Sequence, residues 1–544
     1  MTKNDSIEAA PGKSERLRGL IRRLPPVLIV LGSLLTAFAW IVSSPVGGGP
    51  DEQVHIASIM CPTPIGKHCT IVGYSDADPL QPHKPVVELP ARLLRAYCFA
   101  FSPNKSAACI DLVPADTMAR TAAADNGRYP GIYYRIMHVF ADPSPAAGER
   151  TALLVRSANA LIAAIVFVGL ALLLPWSMRR QLVYVLVGMS VPMLVYFLTS
   201  INPSAWGFIG VVTTWFALTG LFATAGDTET PPWRRRALAG VAVFATILSA
   251  SARTDCAAFC FVVVLAVGAF HLPQLHPKRW RRLRLVWAAM IAVAIIGVVG
   301  TFSGTQTTGL MGLSGGTHVN VINRMLLIFN AQHISDLFQG YWAGALGWFD
   351  VPMKPITAST VTAIGFGLIF LGLRRMSWTK SIAAGGVMLV MLTLSLFTLQ
   401  MGGDKVGSNM QTRYIAPLLL VFVAILLSGR YRAGTRPLSL AQTWTMFLLL
   451  VMAHAFALHS FIQRYTMGVD EMTQNLNRVV EWWRPWLPSP MAVWVLGSFG
   501  FAGLALLLFV VHKPEPAMVT NGFRREFHQA HHESDQLVES VEEG

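Results

Sequence analysis

Charge is what this chain has little of. Only 13% of its 544 residues are Asp, Glu, Lys or Arg, about half the share of an ordinary soluble domain. The signatures of soluble nucleotide and zinc enzymes are also missing. There is no Gly-x-x-x-x-Gly-Lys-Ser/Thr, no His-Glu-x-x-His and no dinucleotide fingerprint after a strand. Those absences argue against ATP-driven transport and zinc proteolysis. Acids are scarcer than bases, 29 against 43, for a net charge of +14. Such an excess would suit nucleic acid, but its placement does not. The bases fall in short clusters between apolar runs: Arg16, Arg18, Arg22 and Arg23; Arg179 and Arg180; Arg234, Arg235 and Arg236; Lys278, Arg279, Arg281, Arg282 and Arg284; Arg374, Arg375 and Lys380; Arg430, Arg432 and Arg436. They mark every second side of the runs, as the positive-inside rule requires. The excess is topology, and no nucleic-acid partner is expected.

What is abundant is apolar sequence: 53% of residues are hydrophobic and the mean hydropathy is +0.49. Runs long enough to cross a bilayer recur from end to end, so the expected fold is an all-α integral membrane protein. About twelve transmembrane helices are expected, at roughly 27–44, 153–175, 182–199, 204–224, 237–251, 256–272, 286–302, 357–373, 381–398, 413–429, 441–459 and 491–511. The start imitates a secretory signal, with Ala37-Phe38-Ala39 as a cleavage-like site. The apolar run continues past it, which favours an uncleaved span. An even count puts both termini in the cytoplasm of a multi-pass membrane protein.

The expected organisation is a basic cytoplasmic N-terminus (1–26), the first span, an extracytoplasmic loop (45–152), spans two to seven (153–302), a second extracytoplasmic loop (303–356), spans eight to twelve (357–511) and a polar tail (512–544). The second loop begins with a Gly- and Thr-rich stretch, 303–317. It continues into an amphipathic segment, 324–349, expected to lie at the outer interface. A third external loop, 460–490, carries Trp482-Trp483-Arg484-Pro485-Trp486, which suits the interfacial aromatic belt or a sugar site. The tail reads as disordered, and nothing frames His528, His531 and His532 as a metal site. Four of the six cysteines, Cys61, Cys69, Cys98 and Cys109, share the first external loop, on the oxidising side. Local pairing, Cys61–Cys69 and Cys98–Cys109, closes two short loops; a zinc site is the alternative, without a standard spacing. Cys256 and Cys260 are expected to pack in a span.

The candidate chemistry stands at the root of the first loop, where Asp51 and Glu52 follow Pro45-Val46-Gly47-Gly48-Gly49-Pro50. Residues 51–55 suit the start of a helix, on which Asp51 and His55 share a face and Glu52 is turned about 100° away. Ile56, Ile59 and Met60 would dock that helix. An acid and a histidine on one face can hold an acceptor hydroxyl and take its proton. The plainer reading is a helix start with acids favoured by the macrodipole. External cations near span ends are the other candidates: Arg253, with Asp255 beside it, Arg413, Lys405 and Arg324. A guanidinium grips phosphate through two charge-assisted bonds. Against that stand a local ion pair for Arg253 and snorkelling for Arg413. Tyr129, Tyr133 and Tyr134 could stack on sugar faces or pack the loop. His138 suits an interface, Asn202 a helix cap, and Asp350 either a turn or a cleft wall.

Ordered motifs carry a family resemblance. Pro50-Asp51-Glu52-Gln53-Val54-His55 resembles the Pro-Asp-Glu-x-x-His element of a family of bacterial polytopic proteins known as DUF2142. Tyr129-Pro130-Gly131-Ile132-Tyr133-Tyr134 resembles its Tyr-Pro-Pro-Leu-Tyr-Tyr, with Gly131 in place of the second proline. Asn202-Pro203-Ser204, Leu346-Gly347-Trp348-Phe349-Asp350-Val351-Pro352 and Gln411-Thr412-Arg413-Tyr414 are similar to its Asn-Pro-Ser/Asp, Gly-Trp-Leu-Asp-x-Pro and Gln-Gly-Arg-Tyr elements. That family in turn resembles the GT-C glycosyltransferases, including protein O-mannosyltransferases, which carry a similar Asp-Glu after the first span. The resemblance implies a polyprenyl-phosphate sugar as donor, chemistry on the outer face, and Asp51 as the catalytic acid of the class. Glu52 becomes its partner, in a supporting or metal-facing role. No cofactor is firmly implied, although a divalent cation would be compatible with Glu52 or Asp51. Expected partners are the bilayer, the polyprenyl-phosphate lipid and a cell-envelope glycan, lipid or protein as acceptor. The competing functions are a flippase for lipid-linked glycans, for which Arg156 and His454 are the main ionisable residues within apolar runs, and a non-catalytic scaffold for envelope assembly.

Overall fold

The structure is a computed structural model that describes residues 13–77, 83–142, 144, 148–275, 280–304, 322–408, 410–429 and 436–513. The Gly- and Thr-rich stretch from residue 305 to 317, the tail with His528, His531 and His532, and Lys278, Arg279, Arg430 and Arg432 lie outside those residues.

The described chain is helical almost throughout. In order, the helices are α1 (Lys13–Ser43), α2 (Glu52–Met60), α3 (Gly131–Met137), α4 (Gly148–Leu173), α5 (Trp176–Gly188), α6 (Val195–Leu198), α7 (Ser204–Thr224), α8 (Pro232–Ala250), α9 (Thr254–Phe270), α10 (Trp280–Thr301), α11 (Arg324–Ala343), α12 (Pro355–Leu373), α13 (Trp378–Gly402), α14 (Ala416–Leu427), α15 (Leu440–Thr466), α16 (Pro490–Ala505) and α17 (Leu507–His512). Every one of the twelve expected runs falls on one of these helices or on a consecutive pair. Among the described residues, eight helical segments are long and apolar enough to cross a membrane. A ninth is broken: α5 and the Ser190–Leu198 segment meet at 83°. Pro192 removes a backbone donor at that break, and Val191 there has non-helical φ/ψ. The remaining expected spans fall on helices that miss this length or composition. The helix α8 opens with Arg234, Arg235 and Arg236, and α9 and α14 have only 17 and 12 residues.

The helix α7 is the hub. Nearly all its side chains are buried, because α8, α9, α4 and α14 surround it. An all-apolar helix of this kind is the expected centre of a bundle. Of the segment 324–349, residues Arg324–Ala343 form α11. Its buried residues Asn330, Leu337 and Tyr341 recur at seven and four, a single stripe, while much of the opposite face is exposed. The Tyr341 hydroxyl donates to the Met189 carbonyl at 2.6 Å, at the break after α5.

The first loop builds a small domain on the bundle. A three-stranded antiparallel sheet, β1 (Ile71–Ser75), β2 (Lys84–Pro90) and β3 (Met118–Thr121), is ordered β1-β2-β3. Its registers include Tyr74 opposite Pro85 and Val87 opposite Thr121. Val87 and Leu89 turn inward, as period-two alternation requires. They share a core with Ile56, Ile59 and Met60 of α2, Tyr133, Tyr134 and Met137 of α3, and Val155, Trp206 and Ile209 of the bundle. The apolar face of α2 thus docks on neighbouring helices. Cys61 is bonded to Cys69 and Cys98 to Cys109, the local pairing. Cys256 and Cys260 are buried and free.

Candidate functional site

Residues 43–50 are all buried, although this linker has almost no side chains with which to satisfy its own backbone. Its carbonyls are taken by groups from far along the chain. Arg156 of α4 donates to the carbonyls of Ile41, Ser44 and Pro45 at 3.3, 2.7 and 2.7 Å. Arg484 donates to those of Val42 and Ser44 and pairs with Glu149. The Trp348 indole donates to the Gly47 carbonyl at 2.8 Å and the Tyr465 hydroxyl to that of Gly48 at 2.7 Å. Asn202 reaches the Pro50 carbonyl at 3.2 Å and accepts from the Ser204 N–H at 2.9 Å. Its capping role at the start of α7 therefore also ties that helix to the residue before Asp51. Gly47 has φ +79°, and a Cβ there would stand 2.6 Å from the Ala96 methyl, so only glycine fits.

The two acids at the end of this linker part ways. Glu52 turns inward and is fully buried. One carboxylate oxygen accepts from Arg156 at 2.5 Å and the other from the Gly49 N–H at 2.6 Å. Asp51 heads α2 with φ 61°, the left-handed region that Asp tolerates better than most residues. Its side chain is 42% exposed, and it accepts from the Arg413 Nη2 at 2.6 Å.

Arg413 is the centre of the site. Its side chain is only 4% exposed. The same Nη2 also reaches the Tyr414 hydroxyl at 3.2 Å. Nε and Nη1 make no hydrogen bond among the described residues. Arg156 and Arg464, by contrast, engage both terminal nitrogens and leave only Nε. A buried donor left unmade costs about 1–3 kcal/mol, so an arginine with two is poised for a further acceptor.

Arg253 also lies against Tyr414. Both guanidinium carbons stand 5.1 Å from that ring's centroid, a cation–π geometry for each. Arg253 forks onto Asp255 at 2.6 and 2.9 Å, and Asp255 also accepts from the Cys256 N–H. On the Asp51 side, His55 Nδ1 meets the Tyr134 hydroxyl at 2.9 Å, and Tyr129 packs edge-on against the same imidazole. The structure thus gathers Asp51, His55, Tyr129, Tyr134, Arg253, Arg413 and Tyr414 in one place.

Their protonation follows from burial and charge. Burial alone would raise the Asp51 carboxyl; the Arg413 guanidinium, together with His55 and Arg253, outweighs it and holds the carboxyl below its ordinary value. Burial pushes His55 down to about 3, so the imidazole is neutral. Burial pushes the Tyr129 phenol up to about 12 and raises that of Tyr134 as well. In this cluster Asp51 alone is both ionised and open to solvent.

The other candidates are placed elsewhere. Lys405 is exposed and lies over the Phe329 ring of α11 at 5.2 Å. Arg324 is exposed at the start of α11. Neither touches the Asp51 cluster in any described interaction. Asp350 accepts from the Trp348 N–H at 3.0 Å and from Arg464 at 2.6 Å, which makes it a brace for its turn and not a cleft wall. Tyr133 is buried under Trp206 and bonded to Asn159. His138 donates through Nδ1 to the Ile59 carbonyl of α2 at 2.8 Å. His454 meets the Trp40 indole at 2.9 Å and stacks on Phe501, a packed position. Of the tryptophan cluster, Trp482 is buried and Trp486 is 60% exposed. No group of three His, Cys, Asp or Glu that could hold a metal occurs among the described residues.

Sequence reasoning missed four residues of this region: Arg156, Arg464 and Arg484 as anchors, and Tyr414 as the shared ring. A charged side chain inside an apolar run is expensive and usually has a partner. That signal was available at Arg156 and Arg464, but not the identity of the partners.

A family model described as "Predicted membrane protein (DUF2142)" matches residues 34–422. The match spans well over half the chain, from the first helix to α14, and the chain belongs to that family. No curated protein and no solved structure matches it.

Proposed function

We propose that this DUF2142 protein is a membrane glycosyltransferase of GT-C type. It moves a sugar from a polyprenyl-phosphate donor to a cell-envelope acceptor on the extracytoplasmic side of the bacterial plasma membrane, with both termini in the cytoplasm. The observation that carries this reading is the Asp51–Arg413 pair: an ionised, half-exposed carboxylate on a buried guanidinium with two unused nitrogens. A base and a phosphate grip are the two groups that sugar transfer from a phosphate ester needs.

The donor phosphate takes Nη2 of Arg413 from Asp51 and pairs it with an unused neighbour, Nη1 or Nε, with Arg253 adding charge beside Tyr414. Two parallel N–H···O bonds suit a phosphate. Phosphate competes with Asp51 for the same guanidinium. As that pair loosens, the Asp51 carboxylate loses the charge that depressed it and becomes a stronger base. The acceptor hydroxyl gives its proton to Asp51. Its oxygen bonds to the anomeric carbon, and the bond from that carbon to the phosphate oxygen breaks. The electron pair leaves on the polyprenyl phosphate, where Arg413 stabilises the developing charge. His55, neutral and held by Tyr134, positions the acceptor hydroxyl. Glu52 holds the linker that presents Asp51. Lys405 and Arg324 have no part in this step. The reaction so written draws on no cofactor.

The test is transfer from a labelled polyprenyl-phosphate sugar in membranes carrying Asp51→Asn. Asparagine adopts the left-handed backbone readily, so protein levels should hold while transfer falls. Wild-type transfer at normal protein levels would remove Asp51 from catalysis and the step written above with it.

A further inference from the structure

Where the external domain meets the turn after α11 lies an aromatic surface that the proposed transfer step does not use. Tyr97 is 68% exposed, Phe101 61% and Phe349 53%. Trp348 lies beneath, with its ring centroid 6.3 Å from Tyr97 and 5.2 Å from Phe101. Its edge is fixed by the Gly47 carbonyl. The Tyr97 hydroxyl accepts from the Gln53 carboxamide at 3.0 Å, which leaves the hydroxyl hydrogen for another acceptor. The Gln53 oxygen is buried and has no partner. Gly47 and Gln53 flank Asp51 in sequence, so the surface is joined to the proposed base from both sides.

Two features separate this surface from a casual apolar patch. Phe101 and Phe349 both have φ 58°, a left-handed backbone that bulky side chains rarely adopt. Such strain persists where the surroundings enforce it, and it concentrates at ligand sites. Here the backbone is twisted to turn two rings outward and not inward. The second feature is the polar pair beneath, Tyr97 and Gln53. A membrane-facing belt needs neither a strained backbone nor a buried amide.

We infer that Tyr97, Phe101, Trp348 and Phe349 form a carbohydrate subsite that seats the acceptor, making the acceptor a glycan. This rests on the transferase reading above. A pyranose or furanose ring has an apolar C–H face and a hydroxyl rim. The exposed rings take the face, and Tyr97 with Gln53 takes a hydroxyl. A sugar stacked there points its chain end towards Asp51.

Photo-cross-linking tests this in the full chain in its own membrane. p-Benzoylphenylalanine replaces Phe101 or Tyr97, and in a control it replaces Leu112, which is 78% exposed on the same domain. The expected result is an adduct that releases monosaccharides on hydrolysis from positions 97 and 101 but not 112. It should persist in an Asp51→Asn background, since seating needs no catalysis. Adducts that are lipid or protein only, no adduct at 97 and 101, or equal glycan labelling at 112 would each overturn the subsite. Phe101→Ala should also raise acceptor KM up to about tenfold with kcat unchanged, the scale of one aromatic stacking contact. An unchanged KM would remove Phe101 from the subsite. If Asp51→Asn keeps wild-type transfer while the glycan adducts remain, Asp51 is not the base and the subsite stands.

Discussion

Asp51 and Glu52 are adjacent in sequence and belong to different regions of the molecule. Glu52 lies in a closed region. Its carboxylate has no exposure, both oxygens are engaged, and its cation, Arg156, grips two carbonyls of the same linker and one at the end of α1. Asp51 lies in an open one. Nearly half its side chain meets solvent, and its cation holds two nitrogens in reserve. The contrast teaches that a carboxylate–arginine pair is not itself a sign of function. What distinguishes them is hydrogen-bonding capacity left unused. A closed pair fixes a backbone; an open pair can exchange its partner for a ligand.

The sharpest way to break the comparison is Asp51→Asn. Loss of a general base should lower transfer by about 10²- to 10⁴-fold, with thermal stability in detergent near wild type. A collapse of the fold instead would place Asp51 in the same class as Glu52. Next comes Arg156→Met. Leaving Glu52 buried without its cation should cost about 3–5 kcal/mol, seen as a large fall in the unfolding midpoint and in the yield of monodisperse protein. A stable Arg156→Met protein would deny that the linker is clamped. A smaller effect is expected from Arg413→Lys, which keeps the charge and loses the fork. The loss of one charge-assisted bond, about 1.5–3 kcal/mol, should appear as weaker donor binding, with folding unaffected. Donor KM equal to wild type would show that phosphate does not use the fork.

The smallest effect concerns pH. His55 has an ordinary value of 6.5 and is held at about 3 in the folded chain. Its contribution to stability is complete above pH 6.5 and is lost as pH falls from 6.5 towards 3, because the unfolded chain takes up the proton first. Asp51, held below its ordinary value of 3.8, adds a loss only below about pH 4. His55→Asn should therefore flatten the decline between pH 6.5 and 4, by at most about 1.4 kcal/mol per pH unit. Melting curves in detergent across that range measure it. An identical slope would mean that His55 is as accessible to protons folded as unfolded.

Much of the frame was legible in the residues. The twelve apolar runs all became helices, the amphipathic face of 324–349 became a one-sided helix, and the local cysteine pairs formed. Periodicity and loop closure are local properties, and sequence displays them directly. The exposed cations divided less well. Arg253 and Arg413 meet at one ring, while Lys405 and Arg324 stay outside, yet all four have the same kind of local sequence. Asp350 suited a turn or a cleft wall alike, and what ties it to the turn is Arg464, more than a hundred residues away. Arg484 sits in a tryptophan run that reads as a membrane belt, and it points inward to the Val42 and Ser44 carbonyls.

By itself, the sequence determined that this is a helical membrane protein and that an acid pair follows its first apolar helix. Hydropathy over a span and residue order along one helix turn suffice for both. Only the tertiary structure decided which acid of the pair is free. That choice depends on which arginine arrives beside each carboxylate, one from α4 and one from just before α14, and on how many of its nitrogens the surrounding carbonyls have already taken. Such contacts join residues 104 and 362 positions apart, and no local pattern encodes them.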